Sequence, residues 1–186
     1  MATTRTNDAA RPAARKTGAT TRAGTSAAPD AIALLRADHR RVAALYEQYE
    51  TTRSAAKKKA IVAEICQELA IHAQVEEEIF YPAVKAALKD KELVPEATVE
   101  HATLKELIAQ VKDKEPDGEM FDAKIQVMSE YTKHHVKEEQ NEMFPKAQKT
   151  KLDMKELGAR IAARKEELLA DPSQMERPPE PAVVAA

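Results

Sequence analysis

Tryptophan is absent from these 186 residues, cysteine occurs once, glycine four times, and aromatics make up only 4%. A β-sheet draws on aromatic and β-branched residues, so this scarcity disfavours sheets and suits amphipathic helices, as does a charged fraction of 32%. The lone Cys66 excludes an internal disulfide and fits a reducing cytosol. No apolar run approaches the roughly 18 residues of a membrane span, and the N-terminus has no apolar stretch to serve as a signal-peptide core. A soluble cytoplasmic protein is expected. The formal net charge of -2 gives the core no nucleic-acid footprint and no attraction to anionic lipid.

Residues 1–29 hold no large apolar residue after Met1 and carry Arg5, Arg11, Arg15, Lys16 and Arg22 against Asp8. Such a segment buries too little to offset its ordering entropy, so a disordered basic tail is expected. A nucleic-acid arm or an organellar presequence is the alternative use of its charge. Residues 172–186 are Pro-rich and read as a second disordered tail.

Between the tails the apolar period is helical. Asp30 is placed as an N-cap, and Ile32, Leu35, His39, Val42, Tyr46 and Tyr49 then share one face. A second helix, about 55–89, aligns Ile61, Ile65, Leu69, His72, Glu76 and Ile79. A third opens near Pro95 and aligns Ala97, His101, Leu104, Ile108 and Val111. After a turn over 113–118, a fourth aligns Phe121, Ile125, Met128, Thr132, His135, Glu139 and Met143. Short connections predict an all-α, up-down-up-down antiparallel four-helix bundle over 30–150. An accessory helix over 151–171, with Met154, Leu157, Ile161 and Leu168, is expected across its outside.

Each inward face holds a histidine, and two also hold a glutamate. His72 and Glu76 lead to Phe80-Tyr81-Pro82, while His135 and Glu139 lead to Met143-Phe144-Pro145, with 10 residues from histidine to proline in both. Asp38-His39 pairs likewise with Glu100-His101: His39 to His101 is 62 residues and His72 to His135 is 63. Two half-bundles are thus repeated. Residues four apart on a helix lie one above the other, so each His/Glu pair aims an imidazole and a carboxylate at one point. Imidazole binds iron, zinc, copper or nickel, and mixed imidazole and carboxylate sets suit non-haem iron. Four histidines and two glutamates are about enough for two ions sharing carboxylate bridges. Without such a partner, burying the carboxylates would be costly.

The lone His39 and His101 and the two HxxxE…(Y/F)P segments resemble the hemerythrin, or HHE cation-binding, family over about residues 30–150. The resemblance implies a four-helix bundle with a di-iron centre, His39, His72, His101 and His135 as terminal ligands, and Glu76 and Glu139 as bridges. It also implies a small diatomic or peroxide ligand. The sequence departs from the oxygen carriers, which have a further histidine four residues from that of the third helix; here the flanking residues are Ala97 and Lys105. Ala73 stands where iron-sensing relatives have a glutamate. Water, Glu100 or His134 would replace the missing ligand.

Other residues have plainer readings. His134/Glu138 is also spaced by four, but the shared distance to proline favours His135 inside. Glu77, Glu78, Glu138 and Glu142 read as a solvated face. Pro82 and Pro145 are expected to interrupt or end their helices. Tyr46, Tyr49, Tyr81 and Tyr131 read as core or rim, Thr132 as a pocket-lining candidate, and Cys66 as a small buried apolar residue. The Glu-x-x-His signature of ferritin-like bundles is missing. Binding or sensing of O2, NO or peroxide, or iron handling, is the first functional reading; a catalase- or peroxidase-like enzyme is the alternative, and a metal-free interaction bundle the third.

Overall fold

The computed structural model describes Met1 and residues 29–89, 91–116 and 118–176. The expected tail over 1–29 lies almost wholly outside them, as does 177–186. The described residues are all helical in their regular structure.

Helix α1, Ala31–Thr51, begins where Asp30 Oδ1 accepts from the Ala33 N–H at 2.8 Å, satisfying one of the orphan donors of the first turn. Helix α2, Ala55–Val75, is capped by Ser54. It runs through a π-helical turn, Glu76–Phe80, into α3, Tyr81–Leu88, which stops where Lys89 takes a left-handed conformation. Helix α4 is Leu93–Val111, with Pro95 in its first turn. Helix α5, Glu119–Glu138, starts after Gly118, whose φ of 135° favours glycine. It too passes through a π-helical turn, Glu139–Met143, into α6, Phe144–Gln148. Helix α7, Met154–Ala170, is capped by Asp153.

Of the two expected outcomes, the prolines mark an interruption of their helices, not an end: the α-helix gives way to a π-helical turn just before each. A proline lacks the N–H of the helical ladder and its ring crowds the preceding turn. Here each follows directly on a π-helical turn, whose extra residue widens the ladder, and Tyr81 N–H and Phe144 N–H bond back to the Glu76 and Glu139 carbonyls.

Helices α1, α2–α3, α4 and α5–α6 form the bundle, and its apolar interior falls into two parts. One gathers Leu35, Val75, Phe80, Val84 and Phe144; the other gathers Val42, Ile65, Leu69, Leu104, Ile125 and Met128. His39, His72, His101, His135, Glu76 and Glu139 are also buried, and their places along the helices set them as a polar layer between the two apolar parts.

Helix α7 is more than an outer accessory. Leu157, Ile161 and Leu168 belong to the first apolar part, and Gly158 lets the helix approach α1 closely. A Cβ there would meet the Pro29 carbonyl oxygen at 2.6 Å and the Ala31 nitrogen at 2.8 Å. The expected disorder from 172 is corrected as well: Pro172–Gln174 form a 3-10 turn. Both ends of the buried Gln74 amide hold the segment that follows, at the Gln174 carbonyl and the Glu176 N–H, each at 3.1 Å. Pairing both ends of a buried amide ties these residues down despite their composition. No helix among the described residues is long and apolar enough to cross a membrane.

Candidate metal centre

The six side chains singled out by spacing converge. His39 and His72 face each other through their Nε2 atoms at 3.1 Å, and so do His101 and His135. Glu76 Oε2 lies 3.2 Å from His72 Nε2 and 3.5 Å from His101 Nε2. Glu139 Oε2 lies 3.2 Å from His39 Nε2 and 3.6 Å from His135 Nε2. Each carboxylate thus spans from one histidine pair to the other. One set of ligand-type atoms, from His39, His72, Glu76 and Glu139, falls within 4.8 Å mutually, as does a second from Glu76, His101 and His135. Glu76 and Glu139 are 0% and 1% exposed, and among the described residues Glu76 Oε1 and Glu139 Oε2 have no hydrogen-bond partner.

The outward ring nitrogens fix what the inward ones can do. His72 Nδ1 meets Asp38 at 3.3 Å, His135 Nδ1 meets Glu100 at 2.8 Å, and His101 Nδ1 meets Glu77 at 2.9 Å. A carboxylate only accepts, so each of these Nδ1 atoms carries the proton. In the neutral imidazole Nε2 is then a bare lone pair. Two such lone pairs facing at 3.1 Å, beside buried carboxylate oxygens without donors, form a donor set for cations.

Protonation follows the same crowding. Burial, then the nearby Glu139, pushes the Glu76 carboxyl well above its ordinary value. Burial acts on Glu139 in the same sense, but His135, His39 and His72 outweigh it and hold Glu139 ionised. Without cations the two carboxyls therefore share one proton, as close like charges require. Burial lowers His72 to about 4 and lowers His101 too, whereas Glu139 and Glu100 overcome burial at His135 and raise it.

The internal repeat extends to this outer layer. The acid before each lone histidine, Asp38 or Glu100, holds the Nδ1 of the next helix's histidine, His72 or His135. The residue after each buried glutamate, Glu77 or Gln140, reaches the Nδ1 of the opposite lone histidine, His101 or His39. Glu77 is thus half-buried in the site and not part of a solvated face, and Glu78 is bound by Arg164 of α7. Glu138 and Glu142 are the partly or fully exposed members of that face. Behind the acids stand lysines: Lys165 of α7 on Asp38, and Lys105 on Glu77 at 2.7 Å.

Tyr81 breaks the repeat and is the residue that spacing missed. Its hydroxyl lies 3.0 Å from Glu139 Oε1, 3.2 Å from His101 Nε2 and 3.3 Å from Glu76 Oε2. Phe144 occupies the matching position in the other half and stacks on His39 with centroids 5.9 Å apart. Five residues at about 100° each carry a side chain about 140° round an α-helix, so Tyr81 reads as turned away from Glu76. The π-helical turn returns it to the same side. The signal was a proline six residues beyond a buried glutamate, in both halves. Burial, with Glu76 and Glu139, raises the Tyr81 phenol well above its ordinary value.

The remaining candidates lie elsewhere. His134 has 60% of its side chain exposed and faces Glu100 and Glu138 outside the centre. Glu100 holds His135 from behind rather than joining the inner set. Thr132 lines a small cavity among the four histidines, donates to the Met128 carbonyl and lies 3.3 Å from the Tyr46 hydroxyl. Cys66 is buried, and burial pushes its thiol up to about 12.

Known proteins resemble this chain. A DNA nickase from Nostoc sp. (strain PCC 7120) is 25% identical over 111 residues; the match covers 60% of this chain but only 31% of that protein. The crystal structure of a hemerythrin HHE cation-binding domain-containing protein from Mycobacterium kansasii, a homologue of Rv2633c, superposes with a TM-score of 0.64. It is 24% identical, and the match covers 75% of this chain and 86% of that one, which shows the shared fold. The sequence model of the hemerythrin HHE cation binding domain matches residues 30–147, the stretch that carries all six converging side chains, and the chain belongs to that family.

Proposed function

We propose that the buried layer holds two non-haem iron ions and binds a small molecule, O2, NO or peroxide, beside them. His39 and His72 would serve one ion and His101 and His135 the other, with Glu76 and Glu139 shared. The observation that carries this reading is the facing of the bare His101 and His135 Nε2 lone pairs, forced by the carboxylates on their Nδ1 atoms, beside buried carboxylate oxygens that have no hydrogen-bond partner among the described residues. Carboxylate with imidazole favours iron over the softer metals that thiolates select, and no thiol lies in either convergent set. Bound irons would supply electron transfer to and from a small ligand.

The chain's own groups set the surroundings. Asp38, Glu77 and Glu100 fix the tautomers and ring orientations and make the imidazoles more basic. A cavity of about 10 Å³ lies among the four histidines over Val42, Leu69, Leu104 and Val136, with the Thr132 hydroxyl on its wall. That is at the lower limit of room for one water molecule, which argues against a bulky substrate.

Peroxide scavenging is the second reading, favoured by the Tyr81/Phe144 asymmetry. A phenol oxygen stands with the His101/His135 pair, while the matching side offers only a hydrocarbon ring. One ion would gain an oxygen ligand and the other would keep a position for substrate.

Elemental analysis of protein from iron-replete cells tests the first step: about two irons per chain are expected, falling sharply in His72→Ala. Iron near zero in the parent protein would defeat the proposal. Stopped-flow absorbance with peroxide and an oxygen electrode then separates turnover from binding.

A further inference from the structure

Three carboxylates hold histidine Nδ1 atoms, and two of them give their other oxygen to a lysine: Asp38 Oδ1 to Lys165 and Glu77 Oε2 to Lys105. Glu100 is the exception. Its Oε2 takes His135 Nδ1 at 2.8 Å, but no described donor hydrogen-bonds its Oε1, although the side chain is only 10% exposed. Facing that oxygen are His134 Nε2 at 3.5 Å and, beyond it, Glu138 Oε1, which is 3.3 Å from the same nitrogen. Neither contact has hydrogen-bond geometry among the described residues, yet the three ligand atoms lie within 4.8 Å of one another. Donors about 2.0–2.2 Å from a shared cation stand roughly 3.0–3.6 Å apart, the spacing at which His134 Nε2 stands from each carboxylate.

We propose that Glu100, His134 and Glu138 form an outer site for a divalent transition-metal ion, which stages ions for the buried centre. The site itself stands on this geometry; its staging role rests on the iron reading above. One imidazole with two carboxylates takes iron, zinc, cobalt or manganese. His134 is 60% and Glu138 33% exposed, so an ion here keeps several waters and exchanges readily. A groove of about 730 Å³ between α4 and α5 opens on this face, and Glu96, Glu100 and Glu130 line it with negative charge that draws cations. Glu100 joins outside to inside, one oxygen on the outer site and the other on a histidine of the inner set.

Equilibrium dialysis of the full-length protein against Co2+, with cobalt and iron counted by mass spectrometry, tests the site. The parent protein is expected to bind about one Co2+ per chain more than His134→Ala or Glu138→Gln, with iron content equal in all three. Equal cobalt counts would overturn the site. That difference reads the outer position whatever the inner one holds, so a chain without iron would defeat the iron reading while leaving this result intact. For staging, Fe2+ uptake by chelator-stripped protein is expected to slow several-fold in His134→Ala and to reach the same final count once desalting has removed the readily exchanged outer ion. Uptake at the parent rate would remove the staging role.

Discussion

Glu76→Gln separates the cost of the buried carboxyls from their use. In chelator-treated protein Glu76 is held protonated, its carboxyl raised by burial and by Glu139. The amide has nearly the same shape as the protonated acid and likewise carries no charge. The raised value fixes the sign. Below the unfolded carboxyl's ordinary value both states are protonated and Glu76 contributes a constant term. Above it the unfolded chain releases the proton while the folded chain keeps it, so stability falls by about 1.4 kcal/mol per pH unit until the folded group ionises. An amide has no such proton to lose. As pH rises above the ordinary carboxyl value the metal-free parent protein should therefore lose stability relative to Glu76→Gln. Groups remote from Glu76 are common to both proteins and drop out of the difference, whereas His72 and Glu139, which touch it, shift with the substitution and are part of the effect. With metal the order reverses. A ligand at a thousand times its dissociation constant stabilises the fold by about 4.1 kcal/mol, and the variant forfeits much of this because a neutral amide cannot bridge two cations as a carboxylate does. Urea unfolding at several pH values, with and without chelator, measures both effects. Parallel stability curves for the two metal-free proteins, or equal metal content in the loaded ones, would refute the convergence of the two carboxyls on one cation site.

Two further outcomes are expected. Tyr81→Phe copies the residue at the matching position, Phe144, so it should fold and retain iron but lose any visible phenolate-to-iron absorption; an unchanged spectrum would show that the phenol stays off the metal. Gly158→Ala places a Cβ 2.6–2.8 Å from backbone atoms of residues 29–31 that have no rotamer to change. It should cost about 1–3 kcal/mol, read as a lower Tm with the inner iron count unaltered in the folded fraction.

The family and the bundle were legible in the sequence because an α-helix repeats every 3.6 residues. Spacings of four within a helix, and the matched separations between helices, were enough to bring His39, His72, His101, His135, Glu76 and Glu139 onto inward faces. The same rule gave Tyr81 only as core or rim; it is buried, but a period of 3.6 does not show that its hydroxyl reaches the centre, because a π-helical turn shifts the register by a residue. It also left Glu77 on a solvated face, although that carboxylate meets His101 from a neighbouring helix at 2.9 Å.

The chain's own pattern thus determined which groups point inward, because that depends on the geometry of single helices. Only the tertiary structure decided which nitrogen of His72, His101 and His135 is bare, which acids stand behind them, and how α7 and residues 172–176 close over the bundle. Those depend on distances between atoms remote in sequence: Asp38 to His72, Glu100 to His135, Lys165 to Asp38. A helical period does not encode separations between helices; packing sets them.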